Sequence, residues 1–154
     1  KPVALDQLVK KVLSDHHLAL MSRKINIDLQ LSSQSISGDE DKLGVVLDNL
    51  VSNAVKFSPV NSTIHIRLEQ TGDEMQLDVI DSGPGIDPED RVRVFDPFYQ
   101  GRRQPNTDVE GTGIGLSLAR EYVLSHHGVI EIVEEASEGA HLRVRLPINP
   151  FKDL

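Results

Sequence analysis

Leu43, Val46, Leu47, Leu50, Val51, Ala54 and Val55 follow the i, i+3, i+4, i+7 rule without a gap. A stripe confined to one side of a helix must be buried against another layer. The preceding "SGDED" offers caps and N-terminal acids, so the spacing predicts a helix over residues 40–57, broken by Pro59 and Asn61. The second layer is legible as strands. Residues 25–31, 63–68 and 75–80 alternate apolar and polar side chains, the last two joined by a hairpin turn at "TGDE". "VIEIVEE" and "HLRVRLPI" read as two closing strands around "SEGA". Helical periodicity also runs from Leu5 to about residue 22 and over 113–126, with Gly128 as a C-terminal stop. Three helices and about five strands in this order predict an α+β fold: a two-layer α/β sandwich with a mixed, mostly antiparallel sheet. Residues 81–111 are rich in glycine, proline and polar side chains, and loops of that length are commonly functional lids.

Composition narrows the function more by exclusion. A chain of 154 residues fits one domain, expected to span 1–154. It has no cysteine, which rules out disulfides and thiolate metal sites. No apolar run approaches the roughly 20 residues that span a bilayer, so no direct membrane contact is expected of this chain. The net charge of −8 argues against a general affinity for nucleic acid. An anionic small ligand is still compatible with it, held by backbone N–H groups, a helix N-terminus, a lysine and a divalent cation.

Three stretches supply such devices. At about 100° per residue, Asn49, Asn53 and Lys56 fall within an arc of roughly 60°, beside the apolar stripe rather than in it. Amide oxygens suit a hard cation such as Mg²⁺, and the lysine suits a phosphate. Asparagine is a poor helix former, which makes two on one side notable. "DSGPGI", Asp81 to Ile86, directly follows an expected strand. Gly83 and Gly85 permit positive φ and close ligand approach, and the carboxylate can accept from an exocyclic amine. "GTGIGL", Gly111 to Leu116, opens the third helix with unshielded N–H groups, an anion-binding mouth. It is neither a Walker loop nor a Rossmann fingerprint, and protein-kinase signatures are absent. Alone, each stretch also fits an ordinary polar face, turn or hinge.

Their order and spacing carry more. "NLVSNAVKFS", "DSGPGI", "FDPFYQG" and "GTGIGL" resemble the N, G1, F and G2 boxes of sensor histidine kinases, in that family's order. "LDQLVKKVL" resembles the helix that opens the catalytic ATP-binding domain, and "HHGVIEIVEEASEGAHLRVRLP" its closing strands, so the similarity covers essentially the whole chain.

The resemblance implies a Bergerat fold, shared with gyrase-type, mismatch-repair and chaperone ATPases, with an ATP lid over about 96–112. It implies ATP and Mg²⁺ as cofactors. Asn53 matches the Mg²⁺ ligand. Where the F box often continues with arginine this chain departs with Gln100, whose amide oxygen makes it a second candidate Mg²⁺ contact. Asn49 and Lys56 match phosphate or metal contacts. Asp81 matches the carboxylate that reads adenine, and Gly83, Gly85 and Ile86 shape the base pocket. Gly111, Thr112, Gly113, Ile114, Gly115 and Leu116 match the segment that hinges the lid and faces the phosphates. Phe98 and Tyr99 are candidate nucleotide contacts, while Phe95 and Phe98 match aromatics that pack the lid base. Arg102 and Arg103 are candidates to stabilise transferring phosphate charge.

In hydrolysing relatives the residue matching Asn49 is a glutamate that activates water. Asparagine has no titratable group near neutral pH, which favours a phosphotransferase over an ATPase. No histidine lies in the family's His-Glu/Asp-x-x-x-Pro setting. The expected acceptor is therefore a histidine on a separate dimerisation domain, preceding Lys1 in a longer protein and handing on to a response regulator. Such a protein is expected to be a homodimeric bacterial inner-membrane sensor, with this part cytoplasmic and monomeric on its own. Two alternatives share these boxes: a serine kinase of the anti-sigma-factor type, and a non-catalytic nucleotide-binding module.

Overall fold

The structure, a computed structural model, describes residues 1–83, 115–133 and 139–149. Its elements in chain order are β1 (Pro2–Ala4), α1 (Leu5–Asp15), α2 (His17–Ser22), β2 (Asn26–Leu31), β3 (Ser35–Ser37), α3 (Glu40–Phe57), β4 (Thr63–Thr71), β5 (Glu74–Ile80), α4 (Gly115–Ser125), β6 (Val129–Ile132) and β7 (His141–Pro147).

α3 has the expected bounds. Asp39 caps it, accepting from Lys42 N at 3.1 Å, and Glu40 and Asp41 lie in its first turn. All seven residues of its apolar stripe are buried. α3 contacts α1 on one side and α4 on the other.

Five strands form one sheet in the order β2-β4-β5-β7-β6. β2 runs parallel to β4, and every other pair is antiparallel. The β4–β5 hairpin extends farther than its alternation suggested, to a turn where Gly72 takes φ +64°. Rows such as Ile66, Val79 and Leu142, and Leu68, Leu77 and Val144, align across three strands and are buried. They form the core with Leu43, Val46, Leu47 and Leu50 of α3 and Leu5, Leu8, Val9 and Val12 of α1. This is the expected α+β sandwich.

Two details differ from expectation. The helix expected over 5–22 is two helices. The chain leaves helical geometry at His16, φ −99° and ψ 10°, whose ring reaches Asp48 of α3 at 2.7 Å. An added two-stranded antiparallel sheet pairs β1 with β3, with Val3 opposite Ile36. Three residues are too few to show an alternation. Among the described residues, no helix is long and apolar enough to cross a membrane.

Candidate nucleotide site

Asn49, Asn53 and Lys56 are half-buried along the flank of α3, beside the buried stripe. The first turn of α4 stands against Asn49. A Cβ on Gly115 would lie 3.0 Å from Asn49 Oδ1, so the absence of a side chain lets the helix start meet the amide. An N-terminal helical turn presents unpaired N–H groups and partial positive charge, which suits an anion. Leu116, the next residue, is half-buried and packs on the core.

The other end of the α3 face is closed by the end of β5. Lys56 Nζ lies 5.4 Å from the centre of the Phe57 ring. Gly83 packs on Phe57, where a Cβ would collide with the Phe57 carbonyl. Gly83 was expected to permit a positive φ and close ligand approach; the positive-φ glycine among the described residues is Gly72. What Gly83 supplies is clearance between the strand end and the helix end.

Asp81 is 6% exposed. Its main chain continues the sheet, with Asp81 N donating to Ala140 O at 3.0 Å. Its Oδ1 accepts from Gly83 N at 2.9 Å and from Ala140 N at 3.0 Å. Both backbone donors thus go to one oxygen, and neither takes up Oδ2. Burial pushes the carboxyl above the usual carboxylate range, and the two backbone hydrogen bonds only partly oppose it.

A raised folded pKa has a defined sign. The group's contribution to stability is complete below its unfolded value and is lost as pH rises through the folded value. Asp81→Asn keeps an oxygen for both backbone donors and does not titrate. In urea denaturation at a series of pH values, the variant is expected to gain on the wild type as pH rises above about 3.8, the ordinary aspartate value, and to hold that gain at neutral pH. A gain that grows towards acid would contradict the burial argument.

The described structure brings Asn49, Asn53 and Lys56 together on one helix, Gly115 and Leu116 beside Asn49, and Asp81 and Gly83 beside the end of that helix. Gly85, Ile86, Phe95, Phe98, Tyr99, Gln100, Arg102, Arg103, Gly111, Thr112, Gly113, Ile114 and the lid expected at 96–112 lie outside the described residues. Sequence reasoning missed Gly139 and Ala140. "SEGA" announced only a turn, and the Ala140 group that holds Asp81 is a backbone N–H, which any residue type but proline provides.

His126, at the end of α4, is 3% exposed and joins two helices. Its Nε2 accepts from Asp39 N at 3.0 Å and its Nδ1 donates to Tyr122 O at 2.9 Å, tying the end of α4 to the start of α3.

Among the described residues no three His, Asp or Glu side chains converge on a point. The amide of Asn53 nevertheless fits a hard cation that takes its other oxygens from phosphate and water, as Mg²⁺ commonly does.

The model of the family described as "Histidine kinase-, DNA gyrase B-, and HSP90-like ATPase" matches residues 38–150. The chain is 34% identical over 145 residues to the sensor histidine kinase GlrK of Escherichia coli K12, covering 94% of this chain and 30% of GlrK. Among solved structures, the mycobacterial sensor histidine kinase MprB superposes with a TM-score of 0.87 at 27% identity, covering 98% of this chain and 100% of that one. Full-length ShkA in complex with AMPPNP gives 0.81 at 26% identity, over 96% of this chain and 30% of ShkA.

Proposed function

The chain belongs to the histidine kinase-, DNA gyrase B- and HSP90-like ATPase family, and from that premise we propose that it binds Mg·ATP and passes the γ-phosphoryl group to a histidine on a separate domain. It spans 30% of GlrK, and in this reading the acceptor is a histidine outside these residues. The observation that carries the proposal is the framing of one helix face. Asn49, Asn53 and Lys56 lie between the Gly115 helix start and the Asp81–Gly83 strand end, the first suited to phosphates and the second to a base.

In this reading Asp81 Oδ2 accepts from the exocyclic amine of adenine. Guanine would instead turn a carbonyl oxygen towards the carboxylate. Lys56 and the first turn of α4 neutralise the phosphates. Asn53 is the residue that would hold Mg²⁺, which when bound offsets phosphate charge and orients the phosphate chain. Asn49 matches the position of the glutamate base in hydrolysing relatives; an amide accepts no proton from water, which in this reading preserves the γ-phosphoryl group for transfer. Transfer then depends on positioning and charge neutralisation. Gln100 as a further metal contact, Arg102 and Arg103 as partners of the transferring phosphate, and 96–112 as a lid complete the proposal. A cytoplasmic location, a homodimeric kinase and a response regulator downstream follow from the same reading.

Calorimetry tests the binding half. ATP and ADP are expected to bind more tightly with Mg²⁺ than in chelator, and GTP about a hundredfold more weakly than ATP, because guanine leaves the Asp81 acceptor opposed by another acceptor. Equal affinity for ATP and GTP would refute Asp81 as the base-reading group.

A further inference from the structure

The nucleotide site makes no use of a second buried carboxylate three residues before Asp81. Asp78 of β5 is 4% exposed and lies on the sheet face opposite the helices, the opposite side of its strand from Leu77 and Val79. Three side-chain donors converge on it. His141 Nε2 lies 2.6 Å and Arg143 Nε 2.8 Å from Oδ1, and Gln76 Nε2 lies 2.9 Å from Oδ2. Burial pushes this carboxyl up, but the bonds from Arg143, His141 and Gln76, with the guanidinium charge, outweigh it and hold Asp78 below the usual carboxylate range. An ionised carboxylate only accepts, so His141 donates from Nε2.

For stability alone, a buried ionic cluster is a weak device, since well-packed apolar residues often do as well. Its position in the register suggests another use. Asp78 pairs with Arg143 and Ile80 pairs with His141 across β5 and β7. The residue before His141 is Ala140, whose N–H holds Asp81 Oδ1. The residue before that, Gly139, passes so close to the Asp81 carbonyl that a Cβ there would collide with it. The start of β7 is therefore anchored by side chains on one side of Ala140 and packed tightly on the other.

We propose that Asp78, His141 and Arg143 are positioning residues for Asp81, fixing the start of β7 so that the Ala140 N–H occupies Oδ1 and leaves Oδ2 to the base. The proposal rests on the reading of Asp81 as the adenine acceptor. It predicts coupling: a fault in the cluster reaches the ligand through Asp81 and so affects adenine alone.

The test is a double-mutant cycle on the 154-residue chain, with ADP and GDP affinities measured by calorimetry and folding checked by cooperative melting. His141→Leu is expected to weaken ADP about tenfold and leave GDP within about twofold. In an Asp81→Asn background the same change is expected to cost ADP less than about twofold, and His141→Gln, which keeps a side-chain donor, to restore most of the affinity. Arg143→Met, at a partly exposed position, carries the same comparison where His141→Leu does not fold. Equal losses for ADP and GDP, an undiminished loss in the Asp81→Asn background, or full ADP affinity in a folded variant would each overturn the proposal. If Asp81→Asn alone leaves ADP affinity unchanged, the adenine reading itself fails and takes this inference with it. If Asp81→Asn weakens ADP and the cluster variants do not, only the inference fails.

Discussion

Asp81→Ala is expected to weaken adenine-nucleotide binding by about a hundredfold while leaving a cooperatively folded protein. The lost group is a desolvated acceptor held by two backbone donors, and in a site excluded from water such an acceptor contributes about 2–3 kcal/mol to a ligand amine. The effect on the fold has two opposing parts. Gly83 N and Ala140 N lose their acceptor, which destabilises; a carboxylate that burial had already pushed towards protonation is removed, which stabilises. A modest fall in melting temperature is the expected balance, and it separates this variant from Asp81→Asn, which keeps an acceptor for both donors. The check is calorimetry with ADP beside a thermal melt. Wild-type affinity in the alanine variant would mean that the base is read elsewhere.

Asn53→Ala is expected to act in opposite directions on fold and function. Alanine is the better helix former by roughly half a kcal/mol, and Asn53 lies off the buried stripe of α3, so the variant is expected to be as stable as the wild type or slightly more so. Binding of ATP in Mg²⁺ is expected to fall about a hundredfold, to the affinity seen in chelator, where the two proteins become equal. A magnesium titration at fixed ATP reads this directly. The pattern distinguishes a metal ligand from a residue that merely supports the helix, because loss of support would lower stability and affect binding in chelator as well.

The parts of the molecule legible in sequence were those with a long period or a side chain of distinctive chemistry. The α3 stripe repeats over about three turns, so its buried face could be read from spacing, and its bounds from the flanking cap and breakers. The hairpin was marked by two alternating runs and a glycine turn. The short β1–β3 ladder has no period to detect, and the break at His16 coincides with a bond to Asp48, 32 positions away. Within the site, Asn49, Asn53, Lys56 and Asp81 were visible as polar groups in unusual places. The contacts that seat Asp81 were not, since its donors are main-chain N–H groups of Gly83 and Ala140 and its carbonyl is met by the clearance at Gly139. Gly83 was singled out for backbone freedom and close ligand approach, but not for the room its missing Cβ leaves the Phe57 carbonyl 26 positions away in sequence. Such contacts appear only when strand and helix are placed together.

The claim that the α3 face serves phosphoryl transfer rather than hydrolysis is tested most directly by labelled ATP. The chain would be incubated with γ-labelled ATP, Mg²⁺ and a histidine-bearing dimerisation-helix fragment, and the labelled protein treated with acid and with alkali. The account predicts label on the fragment that is lost in acid and kept in alkali, as a phosphorus–nitrogen bond requires, and that is absent with Asn53→Ala or Asp81→Ala. Acid-stable label on serine, or release of free phosphate with no labelled protein, would contradict it.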